Sequence, residues 1–166
     1  MQFRFVHDFD VEPPQFWEMF FSEAFETELF RGLKMRSWKV TDRRDEGAKL
    51  HRTVKLEPAM AVPSWASSVV KETGYTEIDV FLKSESKMHV QIEPAVMRDR
   101  FQLSGVFAVT PLGPGRCRRE FAGEIKVSIP LLGGKIEKFM VDQIRDGYDQ
   151  AAHITRDYLA KRKSQS

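Results

Sequence analysis

The stretch that decides the fold is GKIEKFMVDQIRDGYDQAAHITRDYLAKR, residues 134–162. At 100° per residue, Ile136, Met140, Ile144, Gly147, Ala151, Ile154 and Tyr158 fall on one face. Lys138, Asp142, Arg145, Asp146, Asp149, His153, Arg156 and Asp157 fall on the other. Such a stripe predicts one long amphipathic helix. At ~1.5 Å per residue it is roughly 40 Å long, enough to cross a whole sheet. Its apolar face must be covered, so the rest of the chain has to supply a broad apolar surface.

Upstream, the pattern changes to alternation. Residues 116–129 set Cys117, Arg119, Phe121, Gly123, Ile125, Val127 and Ile129 against a mostly polar face. Residues 100–110 place Phe101, Leu103, Gly105, Phe107 and Val109 together, and Pro111–Gly115 is a turn. Residues 87–93 group Met88, Val90 and Ile92; residues 75–83 group Thr76, Ile78, Val80 and Leu82; Ser84–Ser86 joins the two. Residues 33–42 and 48–57 flank the turn signal Asp45-Glu46-Gly47. Period-2 runs joined by short turns predict an antiparallel meander.

At the start, residues 2–9 place Phe3, Phe5, His7 and Phe9 on one strand face. Pro13-Pro14 opens a helix over 15–21, because proline suits the first helical turn. Ser22 is a good cap for a second helix running to about Phe30, with Gly32 at its end. Residues 58–74 are too long for a tight turn, and a short helix is expected after Pro63. The order is strand, two short helices, about six strands, long helix. The expected class is α+β: a curved antiparallel sheet of six to seven strands wrapped on the C-terminal helix. It forms a single domain over 1–166, with an ordered core of about 2–162.

Phe121-Ala122-Gly123-Glu124-Ile125-Lys126-Val127-Ser128-Ile129-Pro130-Leu131-Leu132-Gly133-Gly134-Lys135-Ile136-Glu137-Lys138 is similar to the strand-to-helix junction of an uncharacterised bacterial START-like family. The Pro13-Pro14 start of the first helix matches it too. The order of elements resembles the START-like (helix-grip, SRPBCC-type) superfamily, with its lipid-transfer domains, birch-pollen allergen group and polyketide cyclases. The resemblance implies the fold and a habit of holding apolar ligands between sheet and helix. It implies no catalytic residue, and fold alone does not specify function.

Composition bounds the function. Basic and acidic residues number 26 and 24, a net charge of +2. No stripe of Lys and Arg interleaved with aromatics stands out, so no nucleic-acid partner is expected. Lys161-Arg162-Lys163 reads as a solvated helix end that complements the dipole. Cys117 is the lone cysteine, which fits a reducing compartment. Nothing approaches the ~18 apolar residues of a membrane span. A cytoplasmic location is expected.

The expected pocket lining is Phe5, His7, Arg52, Val54, Trp65, Val90, Phe101, Leu103, Phe107, Arg119, Phe121, Met140, Ile144, Gly147 and Ala151. Gly147 and Ala151 are small residues mid-stripe. They leave room for a ligand or else allow close packing on Phe101, Phe107 or Phe121. His7, Arg52 and Arg119 are polar groups on apolar strand faces, where buried charge is costly unless it has a partner. Such an Arg could hold a ligand carboxylate or phosphate. The loops around Trp65, Met97, Leu131 and Leu132 should gather at one end as a pocket mouth or a lid. As a mouth, that rim is suited to transient contact with a membrane surface or a partner.

No nucleophile elbow, metal-ligand spacing or phosphate loop is present, and no cofactor is expected. His7 and Tyr158 are the acid–base candidates on inward faces, and almost no carboxylate is expected there. The leading reading is non-enzymatic binding or transfer of an apolar or amphipathic, lipid-like small molecule. The alternatives are a cyclase- or dehydratase-type enzyme using the same pocket, with His7 or an Arg polarising the substrate, and a protein-interaction domain with a filled core.

Overall fold

A computed structural model describes all residues, 1–166. The chain runs β1 (Gln2–Phe9), α1 (Pro13–Phe20), α2 (Glu23–Gly32), β2 (Met35–Asp45), β3 (Lys49–Pro58), β4 (Tyr75–Leu82), β5 (Lys87–Pro94), β6 (Phe101–Gly113), β7 (Arg116–Val127) and α3 (Gly133–Ser164). The seven strands form one antiparallel sheet in the order β1-β7-β6-β5-β4-β3-β2. Only β1 leaves the meander, pairing with β7 across the sequence. This is the expected α+β helix-grip architecture. No helix is long and apolar enough to cross a membrane.

The local chemistry follows the sequence. Ser22 Oγ accepts from Phe25 N–H at 3.3 Å and caps α2, whose first turn carries Glu23 and Glu26. The start of α3 has no side-chain cap. Instead Glu137 accepts from Val127 N–H at 2.9 Å and from the N-terminal ammonium at 3.2 Å, tying the helix to both β7 and β1. Gly105 and Gly123 face each other across β6 and β7. A Cβ at Gly105 would lie 2.7 Å from Phe121 Cε2, and one at Gly123 would lie 2.8 Å from Phe3 Cζ. Both positions therefore need glycine for close approach, where the inner aromatics fold over the backbone of a curved sheet.

The main core lies between α1, α3 and strands β1, β5, β6 and β7. Trp17 anchors α1, with its ring 4.2 Å from that of Phe81, and its indole N–H donates to Ser86 Oγ at 2.7 Å. A second cluster of Phe30, Val54 and Leu56 joins α2 to β3.

Three expectations are corrected. Alternation grouped Thr76, Ile78, Val80 and Leu82, but the opposite face of β4 is the one turned inward. Asp79 and Phe81 are buried there, with Tyr75 and Glu77 beside them. Burying two carboxylates is tolerated because Arg52 on β3 pairs with Asp79 in register, a compensation that one strand's hydropathy does not reveal. After Pro63 the chain makes successive turns instead of a helix. Ala66 N–H donates to Pro63 O at 2.9 Å, and Ser67 Oγ occupies the Ser64 carbonyl at 2.7 Å. Serine hydroxyls compete with helical backbone bonds in this way. Finally, the buried stripe of α3 is wider than the first count. Val141, Ala152, Thr155 and Leu159 are buried, while Ile154 and Tyr158 turn toward α2, where Tyr158 meets the ring of Phe25 at 5.2 Å.

Candidate functional site

A cavity of about 470 Å³ lies between α3 and the inner face of the sheet. Its wall takes residues from α1, α2, α3 and strands β2 to β7, and 24 of its 38 lining residues are hydrophobic, so it is an apolar container with a few polar points. Arg52, Val90, Phe101, Leu103, Phe107, Arg119, Phe121, Met140, Ile144, Gly147 and Ala151 line it, as does Met97 near its edge. The lining also includes exposed Ala59, Glu72, Gln143, Asp146 and Gln150, so the cavity opens to solvent between the loop after β3 and the middle of α3.

Gly147 shows why the space exists. A Cβ placed there would meet nothing within 4 Å. The glycine is therefore not required by close packing on Phe101, Phe107 or Phe121; it borders open volume.

Other expected lining residues lie elsewhere. Phe5 is in the core, stacked on Phe3 with ring centroids 5.3 Å apart. Val54 is fully buried against Phe30 and Leu56. Trp65 meets Phe139 edge-on at 6.0 Å and sits under the Lys135 ammonium at 4.3 Å. Leu132 is half-buried against the core, and Leu131 is fully exposed. The Trp65 loop thus packs on the start of α3, while the cavity edge is formed by residues 59–60, 70, 72–74 and 96–97. His7 is beside the wall, not in it: one ring nitrogen meets Asp149 Oδ1 at 2.8 Å and the other meets Arg119 at 2.9 Å. Burial lowers its pKa, and Asp149 opposes that shift.

Two buried arginines define the polar points of the wall. Arg52 donates to Asp79 from Nε at 2.9 Å and Nη2 at 2.7 Å, to Glu77 at 3.1 Å and to Glu26 at 3.1 Å. Arg43 reaches the same Glu26 oxygen at 3.3 Å. Three carboxylates thus meet two guanidiniums, leaving one surplus negative charge in a dry place. A retained proton relieves it: burial and the neighbouring Asp79 push Glu77 up to about 8. Glu77, Tyr75 and Glu26 all line the cavity. The expectation of almost no inward carboxylate fails here.

Arg119, only 4% exposed, is different. It pairs with no carboxylate. Its Nη2 donates to His7 Nδ1 at 2.9 Å and to Tyr148 O at 3.1 Å, and its Nε has no partner. The guanidinium carbon lies 5.1, 5.2 and 5.7 Å from the ring centroids of Phe9, Tyr148 and Phe107. Burial pushes its pKa down to about 10.

Tyr148, missed in the sequence reading, lies flat on Phe121 at 4.8 Å and lines the cavity. It stands four residues after Ile144, so the helical period alone could have found it. Glu26 and Glu77 carried no such signal.

A sequence family described as a protein of unknown function (DUF2505) matches residues 4–159. No curated protein matches the chain. Among solved structures it is similar to Zhui aromatase/cyclase from a Streptomyces species, at a TM-score of 0.71 and 9% identity over 98% of this chain and 94% of that one. It is similar to norcoclaurine synthase from Thalictrum flavum, at 0.62 and 12% over 93% and 86%. It is also similar to a START superfamily protein from Mycobacterium smegmatis, at 0.60 and 12% over 95% and 98%. Identities this low establish the START-like fold and nothing finer.

Proposed function

The chain belongs to the DUF2505 family, and from that premise we propose that it binds or transfers an apolar or amphipathic, lipid-like small molecule held between its sheet and α3. The observation that carries this reading is the open volume of about 470 Å³ beside Gly147. It falls within the usual range of ligand pockets, roughly 300–1,000 Å³, and has their usual character: apolar walls and few polar groups. A filled-core interaction domain has no such space.

Titration with the neutral fluorophore N-phenyl-1-naphthylamine tests the reading. Wild type is expected to take it up, and Gly147→Phe, whose ring would occupy the space, to lose at least about tenfold in affinity. No uptake by wild type, or equal uptake by the variant, overturns the proposal. A membrane surface is the natural source or destination of such a ligand, and the full exposure of Leu131 supports contact through that residue. Co-sedimentation with anionic vesicles should weaken in Leu131→Asp; wild type that stays in the supernatant excludes this part.

A specific observation favours a second reading, a cyclase- or dehydratase-type enzyme. Glu77, holding its proton up to about pH 8, lines the cavity with Tyr75. A neutral carboxylic acid there can protonate or polarise a carbonyl. This role falls to Glu77 instead of His7, which is committed to Asp149 and Arg119. Turnover of a poly-β-keto substrate that disappears in Glu77→Gln, with fluorophore uptake retained, would decide for it.

A further inference from the structure

We propose that Arg119 is the anchor for a singly charged anionic headgroup, so that the ligand of the cavity is an amphipathic acid of the carboxylate class. This rests on the cavity being a ligand site and deepens it.

The two arginines of the wall have opposite charge economies. Arg52 is surrounded by Asp79, Glu77 and Glu26 and has no positive charge to offer. Arg119 is equally buried but faces neutral partners: a histidine nitrogen, a backbone carbonyl and three aromatic rings. A buried charge without a counterion is a standing desolvation cost, which a fold retains only where something offsets it. The rings hold the guanidinium plane and contribute cation–π attraction, but they leave its charge uncompensated and its Nε without an acceptor.

The surrounding charges specify the headgroup. Asp149 is mostly exposed and its Oδ1 is taken by His7. Arg156 stands on the ring of Phe9 at 5.3 Å and donates to Asp8 O, so it faces the outside. One guanidinium is thus the only cation in the wall near Tyr148. It balances one negative charge, which fits a carboxylate. A dianionic phosphate would bring a second charge with nothing to meet it.

The test uses a matched pair, dodecanoic acid and 1-dodecanol, each displacing N-phenyl-1-naphthylamine at pH 7.5. Wild type is expected to hold the acid at least about tenfold more tightly than the alcohol, as a charge-assisted hydrogen bond in a dry site requires. Arg119→Gln should erase that preference, read as the ratio of acid to alcohol affinity within the same variant; Arg119→Lys should keep part of it. Equal affinities for acid and alcohol in wild type overturn the proposal, as does a preference that survives in Arg119→Gln. Should the Gln variant not fold, the wild-type pair and the Lys variant still decide. Failure of wild type to take up the fluorophore is a separate result, because it removes the ligand cavity itself.

Discussion

Arg52 and Asp79 sit opposite each other in the register of β3 and β4 and share two hydrogen bonds, from Nε at 2.9 Å and Nη2 at 2.7 Å, with both side chains out of water. This pair turns the polar face of β4 inward. It also brings Glu77 to the cavity wall, and four consequences of the buried chemistry can be measured.

Arg52→Met should destabilise the fold by about 3–5 kcal/mol, because it leaves three carboxylates in the interior with only half-exposed Arg43 near them. Urea unfolding checks this. Replacing Arg52 and Asp79 together, by Met and Leu, should cost less than Arg52→Met alone, since no carboxylate is then stranded at position 79.

Glu77 makes stability depend on pH. Its carboxyl titrates near 8 when folded, against an ordinary 4.5. Between these values the folded chain holds a proton that the unfolded chain releases, so stability falls as pH rises from about 4.5 to 8. Asp79, also raised by burial, acts with the same sign. Unfolding free energies from urea titrations at pH 5 to 9 should decline in wild type and flatten in Glu77→Gln, the difference reaching the order of 4 kcal/mol. Parallel curves would exclude the retained proton.

Gly147→Ala should stabilise the protein by about 0.5–1 kcal/mol. The new methyl meets nothing within 4 Å, and alanine removes the entropic penalty of a glycine inside α3. A drop in stability would mean that the helix at this point is pressed against the sheet.

Cys117 should be inert in the native protein. It is fully buried on β7, and burial pushes its thiol up to about 11. Reaction with a disulfide reagent at pH 8 is expected to run at the rate of unfolding and to accelerate with urea. Immediate labelling without denaturant would contradict the packing of β7 on β1.

The architecture was legible in α3 and in β6 and β7, where each inward residue from Phe101 to Val109 and from Cys117 to Val127 is apolar, small or Arg119. Eleven of the fifteen expected lining residues do border the cavity, because strand parity chooses the face of β3, β5, β6 and β7 and the helical period chooses that of α3. Phe5, His7, Val54 and Trp65 do not. Parity says which face a residue is on, but not how far along the groove the helix stands away from the sheet.

The order of elements, the long amphipathic α3 and the antiparallel meander are readable from the residues alone, because each is a one-dimensional period that any single segment displays. Which face of β4 lies inside was set by a long-range contact, since the burial of Glu77 and Asp79 depends on the Arg52 guanidinium arriving from β3. The same holds for the two arginines, indistinguishable as charges on apolar strands. Arg52 is neutralised by neighbours distant in sequence, and Arg119 is left with its charge facing a cavity, because a counterion is a three-dimensional fact.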